Sequence, residues 1–260
     1  VISLKITKNK KKNKQEQLGI NEKTFNLKVK MSLIIYSGCM FSSKTKTMLS
    51  KLSHLMDIFP NKKAILITSI KDTRGKLIDD INKDIEIYNF TDGVITEDAS
   101  QIITSHSSLF NGIPRGTNAL IRTLYLKDVN VSNFDIIAVD EGQFFTDLYD
   151  SVKKWVDGFD KYVLVASLDS NFKREPFGEI HKLIPICNEF HKMKGNCRYC
   201  IRELGDAVNM ESLPLASFTA RITDSEEEIL TGGMNDYEAT CRRHHPYSKE
   251  IKNNVKNGLF

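Results

Sequence analysis

Leu33-Ile34-Ile35-Tyr36-Ser37-Gly38-Cys39-Met40-Phe41-Ser42-Ser43-Lys44-Thr45 is the stretch on which the fold turns. Its first four residues form an apolar run of the kind expected of a strand buried on both faces. Beyond it, Met48, Leu49, Leu52, Leu55 and Met56 recur at helical spacing. Strand, loop and helix thus come in the order of a phosphate loop, G-x-x-x-x-G-K-[ST], with Gly38, Lys44 and Thr45 in place. In such a loop successive backbone N–H groups cradle phosphate oxygens at a helix amino terminus, the lysine reaches the terminal phosphates, and the hydroxyl binds magnesium. Ser43 stands where the second glycine belongs, and if that position takes a positive φ the serine costs about 1 kcal/mol. On this stretch alone, a plain strand-to-helix turn with a chance Lys-Thr pair remains open.

Two further apolar runs extend the pattern. Ile65-Leu66-Ile67 reads as a second buried strand and leads to Lys71-Asp72-Thr73-Arg74-Gly75, where Arg74 is well placed to bind phosphate, although on this stretch alone a solvated loop arginine is the stronger reading. Phe134-Asp135-Ile136-Ile137-Ala138-Val139 reads as a third, ending in Asp140-Glu141-Gly142-Gln143-Phe144-Phe145. An acid at the carboxyl end of such a strand suits a magnesium ligand, here Asp140. Strand alternation would turn Glu141 to the other face, where it is suited to take a proton from a reacting hydroxyl. The same pair also suits a water-activating ATPase, or two solvated acids at a helix start. Val152, Trp155 and Val156 have the spacing of an amphipathic helix packed on the sheet.

Cys197-Arg198-Tyr199-Cys200 and Cys241-Arg242-Arg243-His244 form C-x₂-C and C-x₂-H arms, whose spacing lets both donors of each arm reach one tetrahedral ion. Four protein ligands leave no open position, so the zinc expected at Cys197, Cys200, Cys241 and His244 is structural. The long intervening segment 201–240 reads as a β-loop pinned at its base, and His245 is a second candidate for the fourth ligand. Cys39 and Cys187 read as buried small residues. His54, His181 and His191 read as surface or satisfied side chains.

Composition sets the outer limits. With 260 residues and 40% hydrophobic content the chain fits one ordinary domain plus a small appendage. No run approaches the ~18 apolar residues of a membrane span. Five cysteines, four of them after position 180, do not make a disulfide framework in a chain this long, and point to a reducing, cytoplasmic setting. Residues 1–30 carry nine lysines against Glu16 and Glu22, a net of +7. The remainder, with 28 basic and 31 acidic residues, is at −3, so no nucleic-acid-binding face is expected. The segment lacks an apolar signal core, and the first methionine is Met31, so it reads as a dispensable or mistranslated extension without enough apolar content to fold. A basic targeting or nucleic-acid-binding arm is the alternative.

Taken together, these stretches resemble the thymidine kinase family of the cytosolic and viral type. Gly38–Thr45 is similar to its G-P-M-F-S-G-K-[ST], with Cys39 for proline and Ser43 for glycine. Lys71-Asp72-Thr73-Arg74 matches K-D-T-R, and Asp140–Phe145 matches D-E-G-Q-F-F throughout. Leu168-Asp169-Ser170-Asn171-Phe172-Lys173-Arg174-Glu175-Pro176-Phe177-Gly178 resembles L-D-G-T-F-Q-R-K-P-F-G. Ala216–Arg221 resembles A-S-F-[ST]-x-R, and Gly232-Gly233 with Tyr237 and Cys241-Arg242 resembles G-G-x-x-x-Y-x-x-x-C-R. The likeness covers about residues 32–245. Two stretches depart from it: an insert within 76–104, and an extra loop at Glu203–Leu215.

The resemblance implies an α/β fold, a P-loop NTPase-like parallel sheet flanked by helices, carrying a small zinc-ribbon and lasso module. The expected divisions are a disordered basic extension (1–30), the kinase domain (31–192), the lasso module (193–246) and a flexible tail (247–260). The implied activity is ATP-dependent phosphorylation of thymidine at its 5′-hydroxyl, with Glu141 as general base. Nucleotide and magnesium would be held by Gly38, Cys39, Met40, Phe41, Ser42, Ser43, Lys44, Thr45, Arg74, Asp140 and Gln143. Met40, Phe144, Leu168, Phe172, Phe177, Thr219 and Tyr237 would line the nucleoside pocket, where aromatic faces stack on a pyrimidine. Partners would be thymidine, ATP and further copies of the chain, the family being typically tetrameric. A P-loop ATPase, or a decayed kinase that binds nucleotide without turnover, are the alternatives.

Overall fold

Every residue of Leu33–Gly38 is buried, as a continuous apolar run with small residues at its carboxyl end predicts for a strand in the middle of a covered sheet. The protein is seen in a computed structural model that describes residues 31–72, 76–77, 86–91, 94–96, 103–104, 116–223 and 235–257. Arg74, Gly232 and Gly233, named from sequence, lie outside them, as does the extension 1–30. In chain order the first elements are β1 (Ser32–Gly38), α1 (Lys44–Ile58), β2 (Ala64–Ser69), β3 (Lys76–Leu77), β4 (Glu86–Thr91), β5 (Val94–Thr96) and β6 (Ile103–Thr104). There follow β7 (Thr117–Thr123), β8 (Ile136–Val139), α2 (Leu148–Lys153), β9 (Tyr162–Leu168), α3 (Ile180–Leu183) and β10 (Glu189–Met193). The last are β11 (Gly195–Asn196), α4 (Arg198–Leu204), β12 (Leu215–Ala216), β13 (Phe218–Arg221), β14 (Tyr237–Thr240) and α5 (Pro246–Lys256).

The central sheet has the order β10-β1-β9-β8-β2-β7-β4-β5. All neighbours run parallel except β4 and β5. Successive strand residues face opposite sides, and two core clusters follow from that alternation. Leu33, Ile35, Ile65, Ile67, Ile137, Val139, Val163 and Val165 pack with Phe145, Leu148, Val152, Trp155 and Val156 on one face. Ile34, Tyr36, Leu66, Ala138, Leu164 and Ala166 meet Met48, Leu49, Leu52, Leu55 and Met56 of α1 on the other. Each such fully buried side chain contributes about 1.5–3 kcal/mol. The α/β architecture expected from sequence is therefore present, and no described helix is long and apolar enough to cross a membrane.

Three local readings change. The stretch 76–104 contributes strands, with β4 pairing beside β7 and β5 closing that edge. Glu203 lies in α4, one turn beyond Cys200, so the departure from the family begins inside a helix. Residues 247–256 of the stretch 247–260, read as a tail, lie in α5, with Pro246 at the helix start, where its missing N–H removes no hydrogen bond. Cys39 is fully buried as expected, whereas Cys187 is only partly so.

Candidate active site

The carboxyl ends of β1, β2, β8 and β9 share one edge of the sheet, the position at which open parallel sheets bind ligands. At β1 the chain turns sharply at Gly38, where a Cβ would stand 2.2 Å from the Met193 carbonyl oxygen of the adjacent β10. Only glycine fits there. The loop then takes left-handed backbone at Phe41 and Ser43, both with φ of 60°. Ser43 is therefore strained as expected, and its side chain makes no capping hydrogen bond to offset this. Ser43→Gly is expected to raise folding stability by about 1 kcal/mol, read as a later denaturant midpoint at unchanged slope.

Inside the loop, Ser42 Oγ donates to the Cys39 carbonyl at 2.7 Å and Lys44 Nζ donates to the same oxygen at 2.7 Å. Thr45 Oγ1 donates to Asp140 Oδ1 at 2.7 Å, tying the loop to the end of β8. The other Asp140 oxygen is buried with no hydrogen-bond partner among the described residues. Burial, and then the neighbouring Glu141 carboxylate, push the Asp140 carboxyl up to about 7, against the pull of Thr45 and Lys44. A hydroxyl and an orphaned carboxylate oxygen on one buried residue pair fit a hard divalent cation.

Glu141 is nearly buried and sits at φ 53°, ψ 43°. Strand alternation is not what separates it from Asp140: β8 ends at Val139, and beyond it Asp140 meets Thr45 while Glu141, in a left-handed turn, meets Gln143. Gln143 Nε2 donates to Glu141 Oε2. Gln143 Oε1 accepts from Leu168 N–H at 2.9 Å and from Ser167 Oγ at 3.2 Å.

The residues named for a nucleoside pocket form contacting sets. Phe144 and Phe177 meet edge to face, with ring centroids 5.9 Å apart. Phe172 lies under the Arg221 guanidinium at 3.8 Å, and Arg221 donates to the Tyr237 hydroxyl at 2.7 Å. Met40 N–H donates to Thr219 Oγ1 at 2.9 Å, which joins the phosphate loop to β13. Arg221 was not named for the pocket. Its one sequence signal was a charged residue closing the run Ala216–Arg221, and it is now buried between Phe172 and Tyr237.

The donor atoms of Cys197, Cys200, Cys241 and His244 all lie within 4.8 Å of one another. His244 Nδ1 lies 3.4 Å from Cys200 Sγ, 3.5 Å from Cys241 Sγ and 3.6 Å from Cys197 Sγ, and Cys200 Sγ lies 3.7 Å from Cys241 Sγ. Those are the edges of a tetrahedron around an ion bound at about 2.0–2.3 Å, so the donor set fits zinc. His245, the other candidate, instead directs Nε2 to the Thr219 carbonyl at 3.1 Å. His244 presents its other nitrogen, Nε2, to Glu203 Oε1 at 2.9 Å, and Arg243 pairs with the same carboxylate. Sequence reasoning missed Glu203, whose signal is its i+3 position after Cys200 on α4. A carboxylate behind a ligating histidine fixes its tautomer and ring. Glu203→Gln is expected to weaken zinc binding by about 10–100-fold, measured by chelator competition.

The cysteine module is docked on the phosphate loop. Cys39 packs with Cys197, Ala216 and Ala239, its Sγ 3.5 Å from the Ala216 carbonyl oxygen. The family's proline position is thus filled by a side chain that the module covers.

Comparison with known proteins agrees with this geometry. The family model described as thymidine kinase matches residues 31–245. The thymidine kinase of Sheeppox virus (strain KS-1) is 37% identical over 125 residues, 47% of this chain and 63% of the viral one. That of Fowlpox virus (strain NVSL) is 29% identical over 214 residues, 82% of this chain and 95% of its own. The cytosolic thymidine kinase of Homo sapiens is 32% identical over 141 residues, 54% of this chain and 55% of the human one. With phosphate loop, strand-end acids and cysteine module in one arrangement, and a family match across nearly all of the described residues, the chain belongs to the thymidine kinase family.

Proposed function

We propose that this protein transfers the γ-phosphoryl group of ATP to the 5′-hydroxyl of thymidine, giving thymidine 5′-monophosphate in nucleoside salvage. The observation that carries this reading is the meeting of Thr45, Asp140 and Glu141 at the end of β8, with Phe144 in the same turn of chain and in edge-to-face contact with Phe177. The backbone of Gly38–Ser43 and the Lys44 ammonium receive the phosphates. Arg74 adds a second cation by family resemblance. Thr45 and Asp140 hold magnesium, which when bound neutralises charge on the phosphate oxygens. Glu141 accepts the 5′-hydroxyl proton as the oxygen attacks phosphorus, and the bridging oxygen leaves with ADP. Positioning does the rest, because phosphoryl transfer asks little covalent chemistry of the protein.

Zinc at Cys197, Cys200, Cys241 and His244 is structural in this reading and holds the module against the phosphate loop. We place the protein in the cytoplasm by analogy with relatives named cytosolic, and in a tetramer by family resemblance.

The test is conversion of labelled thymidine by the full chain with ATP and magnesium, with ATP turnover followed alongside. Turnover that depends on nucleoside supports the kinase. Turnover indifferent to nucleoside supports an ATPase instead. Nucleotide binding without any product supports a decayed homologue, a reading favoured by the left-handed Ser43, and Ser43→Gly is then the repair to try.

A further inference from the structure

We infer that Gln143 is a positioning residue for the general base: it clamps the Glu141 carboxylate against the end of β9 and does not bind nucleotide. This rests on the reading of Glu141 as base. Gln143 is buried, with 4% of its surface exposed, and both ends of its amide are assigned by their partners. Leu168 N–H is a donor only, so the amide atom 2.9 Å from it must be the oxygen. The NH₂ group is thereby turned to Glu141, whose Oε2 it meets. The orientation follows from a backbone donor and not from a choice between two similar rotamers.

The clamp is held from both sides. Ser167 Oγ supports the same amide oxygen at 3.2 Å. On the backbone side, Gly178 passes so close that a Cβ there would lie 2.4 Å from the Gln143 carbonyl oxygen and 2.8 Å from its Cα. Gly178 has φ of +65° and closes the segment that carries Phe172 and Phe177. Glu141 is held in a strained, left-handed conformation, and a residue so placed needs neighbours that over-determine it. Gln143 supplies that restraint to the side chain. Its side-chain partners among the described residues, Glu141, Ser167 and Leu168, all belong to the β8 turn and the end of β9, and none to the phosphate loop. The carboxylate is thereby fixed to Leu168, a residue of the expected nucleoside pocket, so that base and substrate share one reference point.

Gln143→Met keeps the side-chain volume and removes the clamp. The expected result is a fall in kcat of about 10–100-fold, with KM for thymidine and for ATP within about 3-fold of the parent. In a Glu141→Asp background the carboxylate is one methylene short of the amide, and Gln143→Met should lower kcat no further. Nucleotide binding by Gln143 predicts a raised KM for ATP instead, and a purely structural role predicts the same loss in both backgrounds; either result overturns the inference. Thermal midpoints are measured for each variant. If Gln143→Met does not fold, Ser167→Ala carries the test: kcat should fall at unchanged KM in the parent and not in the Glu141→Asp background, and an equal or absent effect in both overturns the idea. A Glu141→Gln protein as active as the parent would sink the base assignment itself, which is a separate failure.

Discussion

Replacing Glu141 by Gln is expected to lower kcat by about 10²–10⁴-fold, the usual worth of a positioned general base, with KM for thymidine little changed. The substitution keeps the shape of the side chain and the backbone torsion, so no packing is lost. It also removes the charged neighbour that helps to hold the Asp140 carboxyl at about 7. Folding stability should therefore be equal to the parent or greater. Steady-state kinetics with labelled thymidine, run beside a thermal melt, separates the two effects. A variant that is stable and nearly inactive agrees with the assignment. A stable variant retaining more than about a tenth of parental kcat would remove Glu141 from the role of base.

The second large effect is expected on stripping the cysteine module of the zinc proposed for it. The module is built of very small parts: β11 and β12 have two residues each, and β13 and β14 four each. Its apolar cluster is Cys39, Cys197, Ala216 and Ala239 with part-buried Tyr199, Cys200 and Cys241, too little to fold without a staple. Structural zinc contributes about 10–16 kcal/mol of apparent binding energy in comparable small domains, and at the proposed site that would be folding energy. Strong chelation, or Cys200→Ser, is expected to unfold the module while the parallel sheet stays folded. Thr219 would then release Met40 N–H, and Ala216 and Ala239 would leave Cys39 exposed. Activity should fall by about 10²-fold or more, with KM rising for both substrates, and zinc added back should restore it after chelation. Measuring bound zinc, circular dichroism and activity on one sample distinguishes the outcomes. Full activity in protein shown to be free of zinc would overturn the assignment.

What could be read from sequence was local. The phosphate loop, the acids at the end of β8 and the two cysteine arms each lie within a few residues, and their chemistry depends on spacing that the chain displays directly. The strain at Ser43 was also legible, because one missing glycine in a known loop form names its own φ. Long-range geometry was not. Glu203's place three residues after Cys200 puts it near that ligand, but the spacing does not say that its carboxylate will stand behind His244, 41 residues away. Met40 and Thr219 were expected at one pocket by family resemblance, but the bond that joins them across 179 residues was not legible. Glu141 was misread in one respect for a different reason: alternation holds only while a strand continues, and β8 stops two residues before it. The helix α5 was missed although Tyr247, Ile251 and Val255 recur at helical spacing; Ile251 and Val255 stay exposed and Ser248 is its one buried residue, so the stripe is short and packs on little.

The left-handed residues Phe41, Ser43 and Glu141 all stand just past the ends of β1 and β8, two strands buried nearly throughout. A residue held at positive φ relaxes as soon as its surroundings give way, so the site keeps its shape only while the sheet beneath it is stiff. Side chains that meet no substrate, such as Leu66 and Val163, thus take part in setting where a proton is accepted. The chemistry at the rim is a mechanical property of the middle of the molecule.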